Sequence, residues 1–256
     1  MLFRHISFTF AAFGTIVTAQ IPNSFAETRA EMPKAQDRAV QLTPEMRADI
    51  LMARKMFREA VDMYKEAPQD SAVVLNKIGI AYHQLVELNV AKKYYEKASK
   101  VRPDYPEAIN NLGTVFYAQK SYRKAITYYK RALQYSPNSA SIHSNLGTAF
   151  FARKNYDLAF ESYQTAMKLD PEVFENRSSH GVLLQERSVD ERAKFHFYLA
   201  KTYAKAGNTE RALLYLRKAL EEGFKEKKRL IEEPDFALLQ NNDEFKLLLA
   251  TEHKVL

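Results

Sequence analysis

The sequence predicts an all-α protein: a right-handed superhelical solenoid of antiparallel helix pairs, with no sheet. Three observations predict it. The first is a repeat of residue types at a spacing of 34: Gly79, Gly113 and Gly147; Tyr82, Phe116 and Phe150; Ala91, Ala125 and Ala159; Tyr95, Tyr129 and Tyr163; Ala98, Ala132 and Ala166. A period of that length marks a stack of two-helix units. The second is Pro103, Pro137 and Pro171 in the same register. They stand between one hairpin and the next, where proline stops the old helix and sits near the start of the new one. The third is that no stretch of useful length alternates with period two.

The elements follow in order. Arg4 and His5 precede an apolar run from Ile6 to Ala19, and two small-x-small exits follow, Val17-Thr18-Ala19 and Ser24-Phe25-Ala26. That is the layout of a secretory signal peptide, and the run is short for a bilayer span. Residues 1–26 are therefore expected to direct export, to the periplasm or envelope if the source is a Gram-negative bacterium. An uncleaved anchor or a mitochondrial presequence is the alternative. With that leader removed, no stable membrane span is expected. Residues 27–40 read as a flexible linker. Thr43-Pro44-Glu45 then opens a helix: Thr43 caps, Pro44 sits where a missing N–H costs nothing, and Glu45 faces the positive helix end.

The solenoid spans 41–223, with units near 41–71, 72–105, 106–139, 140–173 and 193–223. The first keeps Ala60, Tyr64 and Ala67 but lacks the glycine. Ala200, Tyr203, Ala212, Leu216 and Ala219 repeat the pattern displaced by 53 residues, one period plus an insertion at 174–192. A competing register, with Gly181 and Ala193 in phase, lacks the turn after the first helix and the closing proline. Ser188-Val189-Asp190-Glu191 has the form of a capping box. Gly207-Asn208 makes the last turn, and Gly223 ends the partner helix. Residues 224–256 are expected to form two short capping helices that close the open apolar end of the stack.

Small residues let paired helices cross closely, and a larger side chain would push them apart. The glycine of each first helix is expected to face the alanine near the start of the second. Tyr95, Tyr129 and Tyr163 are expected to wedge against the next unit, leaving an inner wall made of first helices.

The runs Asn111-Leu112-Gly113-Thr114-Val115-Phe116 and Asn145-Leu146-Gly147-Thr148-Ala149-Phe150, with Tyr122-Arg123-Lys124-Ala125-Ile126 and Tyr156-Asp157-Leu158-Ala159-Phe160, resemble the tetratricopeptide repeat family. The resemblance covers about 41–223, less the insertion, and is specific for fold rather than ligand. It implies a protein-interaction scaffold, most often one part of a larger assembly. The family's chaperone-binding clamp needs Lys at position five and Asn at position nine of a unit. Here those positions hold Asn76 and Ile80, then Asn110 and Thr114, so that recipe is not expected to operate.

Positions two, five, nine and twelve of each first helix share one face. The candidate peptide groove accordingly takes Asn76 and His83; Asn110, Thr114 and Tyr117; Ser144, Thr148 and Phe151; and Lys194, Phe197 and Lys201. Asn111 and Asn145 add amides on neighbouring units. Such amides can bond both C=O and N–H of an extended peptide; the other reading is that they hold neighbouring helices together. Tyr117, Phe151, Tyr198 and Phe197 offer aromatic anchors. Lys194 and Lys201 would attract an acidic segment.

Composition narrows the classes. The chain has 256 residues and 46% hydrophobic content, suited to a folded domain. With no Cys, disulfides and cysteine-based metal or redox chemistry are excluded. Net charge is +7, with acids and bases mostly interleaved as on solvated helix faces. Nucleic-acid binding is therefore not expected, and weak contact with anionic surfaces is the more modest expectation. None of the six histidines forms a metal-binding or catalytic motif. Ser178-Ser179-His180 gives adjacency without triad geometry. No cofactor, metal or catalytic residue is expected. The leading function is a non-catalytic scaffold or adaptor that binds a peptide or protein segment in the concave groove. The alternatives are a structural subunit of an envelope complex, packing through its convex face and C-terminal cap, and an enzyme of unidentified class.

Overall fold

A computed structural model of the chain describes residues 42–174 and 188–251. The expected leader and linker, and most of the expected insertion, lie outside the described residues. Helices come in consecutive pairs: α1 Pro44–Ala53 and α2 Phe57–Lys65; α3 Ala72–Gln84 and α4 Leu88–Val101; α5 Pro106–Ala118 and α6 Tyr122–Tyr135; α7 Ala140–Ala152 and α8 Tyr156–Leu169; α9 Val189–Lys205 and α10 Thr209–Glu221. Helix α11 (Lys227–Glu232), a 3-10 segment Pro234–Leu239 and α12 (Asp243–Ala250) follow. No strand occurs among the described residues, so the fold is an all-α solenoid of paired antiparallel helices.

Local chemistry sets the helix starts. Thr43 Oγ1 accepts the N–H of Met46 and Pro44 opens α1. Ser188 and Glu191 form the reciprocal capping box at the head of α9. The turns inside the pairs are built alike. A single left-handed residue follows each first helix: Lys55, Val86, Lys120, Lys154 and Gly207, with φ of 60°, 63°, 58°, 60° and 77°. Around it run the same two bonds, seen in unit two as Val86 N–H to His83 C=O and Glu87 N–H to Tyr82 C=O, both 2.9 Å. This is the Schellman closure, which satisfies carbonyls left over at a helix end.

Packing follows the repeat. Ala60, Ala91, Ala98, Ala125, Ala132, Ala159 and Ala166 are all fully buried. The glycines, however, meet the tyrosines more closely than the expected alanines, and only at Gly147 does the alanine, through the Ala159 carbonyl at 3.1 Å, stand among the nearest neighbours. A Cβ on Gly79, Gly113 or Gly147 would lie 2.5–2.6 Å from the ring of Tyr95, Tyr129 or Tyr163 of the same unit. The tyrosine is thus clamped inside its own hairpin and also reaches the next one, with Tyr95 packing among Leu112 and Val115. A tyrosine ring has no room beside a side chain at the crossing, so the glycine is fixed by the second helix's largest residue.

First helices of neighbouring units touch one another, α3 with α5 and α5 with α7. They therefore form the side of the stack on which a groove can exist. The tail departs from two plain helices by inserting the 3-10 segment, which packs on α9, while α12 packs on α10. Leu230, Phe236, Leu239, Phe245 and Leu248 join the largest core cluster. This seals the apolar end of the last unit, as a stack requires.

Candidate peptide-binding groove

The first-helix face has a polar spine. Asn145 donates its side-chain N–H to Asn110 Oδ1 at 3.0 Å, Asn110 donates to Asn111 Oδ1 at 3.4 Å, and Asn111 donates to Asn76 Oδ1 at 3.0 Å. All four amides are buried. Three successive first helices are thereby stitched together by one chain of amides. This favours the second reading of Asn111 and Asn145: each donates its amide N–H to an asparagine of the preceding first helix, as a buried amide must be satisfied.

Above the spine lies a cavity of about 250 Å³ between the starts of α5 and α7. Asn76, Asn110 and Asn111 form its floor, with Glu107, Ser139 and Ser141 among its walls. It is lined mainly by polar residues and is open to solvent.

The remaining expected site residues divide by unit. Position twelve changes steadily: His83 and Tyr117 are half-buried, whereas Phe151 is buried. Phe151 packs edge-on to Tyr156, Phe195 and Tyr198. It is thus corrected from groove anchor to core. Position nine carries a second device. Tyr129 donates its hydroxyl hydrogen to Thr114 Oγ1 at 3.3 Å, and Tyr163 does so to Thr148 Oγ1 at 3.4 Å. Thr148 is buried and structural, while Thr114 keeps partial exposure. Ser144 is half-exposed on the open face. Burial pushes the His83 imidazole below its ordinary value.

At unit five the expectation fails for a plain reason: the chain's own tail occupies the face. Phe197 is fully buried, stacked on Phe224 and edge-on to Phe236. The Arg229 guanidinium lies 4.8 Å over the Phe197 ring and donates to Tyr198 Oη. Lys201 is held by Glu233 at 3.0 Å and Asp235 at 3.4 Å, and its ammonium sits 4.6 Å over Phe160. Lys201 therefore meets the acidic segment expected of it, but that segment is its own chain's. Lys194 pairs one turn back with Asp190 at 3.1 Å. The tail is expected from the sequence to close the stack, but nothing local in the sequence marks Phe197 as its seat.

Among the described residues no group of three His, Asp or Glu is placed to hold a metal ion, and no helix is long and apolar enough to cross a membrane.

Family models match four stretches of the chain. Models described as tetratricopeptide repeat match residues 72–105, 140–173 and 196–222, and one described as TPR repeat matches 113–152. No curated protein matches the sequence. Among solved structures, a crystal structure of MamA is 21% identical over 71% of this chain and 96% of that one, with a TM-score of 0.47. MamA from Desulfovibrio magneticus RS-1, residue 41 to the end, is 21% identical over 70% and 92%, with a TM-score of 0.47. YrrB, described as a TPR protein with an unusual peptide-binding site, is 20% identical over 74% and 89%, with a TM-score of 0.46.

Proposed function

Because the chain is a tetratricopeptide-repeat protein, we propose that it acts as a non-catalytic adaptor holding an extended segment of a partner protein along the first helices of units two to four. The observation that carries this reading is the open cavity lined by polar side chains over the asparagine spine where units three and four meet, the unit-five face being already taken by the tail. The spine sets helix spacing, and the half-exposed Thr114, Tyr117 and Ser144, with Glu107 and Ser141, make the contact surface. Export, supported by Arg4, His5 and the apolar run after them, would put that partner in the cell envelope.

Pull-down from an envelope extract tests the proposal, with the parent compared against Glu107→Arg/Ser141→Arg/Ser144→Arg. These long cations stand on solvent-facing positions, so helicity should be unchanged while capture of the specific partner is lost. Equal capture by parent and variant would refute the groove.

A second reading has its own support. Ile231, Leu238 and Leu247 are exposed on the cap at 56%, 77% and 65%. Exposed large apolar side chains on all three elements of the cap suit packing against another subunit, as a structural component of an envelope complex would require. Substituting these three with serine would then break the assembly and leave groove capture intact.

A further inference from the structure

The edge of the stack opposite the turns carries a row that neither the groove nor the cap uses. Val101, Tyr135 and Leu169 are the last residues of α4, α6 and α8, at the same position of three successive repeats. They are 50%, 47% and 39% exposed, against a repeat whose other apolar positions are largely buried. Equivalent positions on neighbouring units lie side by side along the stack, at roughly 10 Å per step for packed helices. The three side chains can thus reach one flat surface together. The row stops at both ends: the equivalent residue is Asp70 in unit one, and in unit five it is Glu222, which is engaged by Arg192 and His196.

Cations surround this row. Lys97 and Arg131 stand one turn before Val101 and Tyr135 on the same helix stripe. Lys100, Arg102, Lys130 and Lys168 flank it. Helix α6 carries Arg123, Lys124, Lys130 and Arg131 with no acid at all, and α4 carries four lysines against Glu96 alone, which Lys92 neutralises at 3.0 Å. Asp104, Glu107, Asp170 and Glu172 also lie at this end of the pairs, outnumbered by the six cations, and Glu172 is paired with Arg211. The outer faces of α4 and α6 are therefore strongly and locally basic, unlike the mixed charge of the rest of the chain.

We propose that this edge docks onto an anionic lipid surface, with Val101, Tyr135 and Leu169 dipping beneath the headgroups and the flanking Lys and Arg side chains on the phosphates. An acidic protein segment would be satisfied by charge alone. Apolar side chains at regular pitch among cations fit an interface that is charged at its surface and apolar just below it. Tyrosine is well suited to that boundary, with its ring in the apolar layer and its hydroxyl at headgroup level. The contact is peripheral and uses the ends of the second helices, whereas the groove lies on the first helices.

Vesicle flotation of the full chain tests this. The vesicles are phosphatidylglycerol with phosphatidylcholine, compared with phosphatidylcholine alone. The parent should float with the anionic vesicles, and the bound fraction should fall in high salt. Val101→Ser/Tyr135→Ser/Leu169→Ser and Lys97→Glu/Lys100→Glu/Arg131→Glu should each reduce the partition constant by about tenfold or more. Both sets lie on exposed positions, so circular dichroism should match the parent. The groove variant Glu107→Arg/Ser141→Arg/Ser144→Arg, which gains four positive charges, should bind the anionic vesicles at least as strongly as the parent while losing the groove partner, which separates this surface from the groove. Failure of the parent to bind, or parental binding by both edge variants, would overturn the proposal. Parental binding by the serine variant alone would also overturn it, since charge would then suffice and an acidic protein would be the fitting partner.

Discussion

Phe224 stacks face to face on Phe197, with ring centroids 4.6 Å apart and planes 8° from parallel. Phe197 stands where the first-helix face of unit five would offer an anchor to a partner, and Phe224 is the first tail residue to turn back onto it. Phe236 meets the same ring edge-on at 5.7 Å. The solenoid's last first-helix position is thereby converted into core.

The stack makes the tail part of the folded unit. Phe224→Ala removes a ring that is only 5% exposed and should lower unfolding stability by about 3 kcal/mol, the low end for a buried Phe truncation. Urea denaturation followed by circular dichroism measures it. A loss under about 1 kcal/mol would mean that the tail adheres loosely and that unit five is open after all.

The glycine-tyrosine clamp gives a second test. In unit three a Cβ on Gly113 would stand 2.6 Å from Tyr129 Cε1 and 2.7 Å from Cδ1. Tyr129 is fully buried and its hydroxyl is held by Thr114, so the ring cannot step aside cheaply. Gly113→Ala should therefore cost about 1–3 kcal/mol despite adding a good helix former. Gly113→Ala with Tyr129→Leu should recover part of that loss relative to the sum of the single variants, which a double-mutant cycle reads directly.

What could be read from the sequence and what could not divides by the range of the interaction. The 34-residue register places the alanines, the tyrosines and the hairpin turns, because each reports a local demand: a small residue at a crossing, a bulky one to fill it, a helix end to close. Thr43 and Ser188 were legible as caps for the same reason. The partner of each glycine was not, because choosing between Ala125 and Tyr129 opposite Gly113 depends on how far along α6 the crossing falls. Asn76, Asn110, Asn111 and Asn145 were legible as a polar row, but their mutual bonding depends on the spacing between units. Phe197 and Lys201 were misplaced because their cover arrives from more than 25 residues downstream, in Phe224, Glu233, Asp235 and Phe236, through a path with no repeat to guide it.

Turn strain makes a third prediction. Val86 holds φ of 63° at 76% exposure, a left-handed conformation that a β-branched residue adopts at a cost of roughly 1–2 kcal/mol. The equivalent residue of unit five is Gly207, which takes the conformation without that cost. Val86→Gly removes no buried contact and keeps both closing bonds, so it should stabilise the protein by about 1 kcal/mol after the added freedom of the unfolded chain is counted. Calorimetry should show a melting temperature about 2–4 °C higher. Lys120→Gly at the matching turn should gain less, because an unbranched side chain is less strained there.

The last prediction concerns pH. Burial lowers the His83 pKa below the ordinary value of 6.5, since the charged imidazolium loses hydration beside Tyr95, whose ring centroid is 6.4 Å away. The folded state thus holds His83 neutral more firmly than the unfolded chain does. Above pH 6.5 both states are neutral and the group contributes its full share. As pH falls below 6.5 the unfolded chain takes up the proton first, so stability declines until the folded imidazole also titrates. The melting temperature should therefore drop between pH 7 and pH 5, and His83→Gln, which keeps a polar side chain of similar size but cannot titrate, should flatten part of that slope. A slope unchanged in His83→Gln would mean that His83 is solvated in the folded protein, and with it that the first-helix face of unit two is open to water at the level of its last turn.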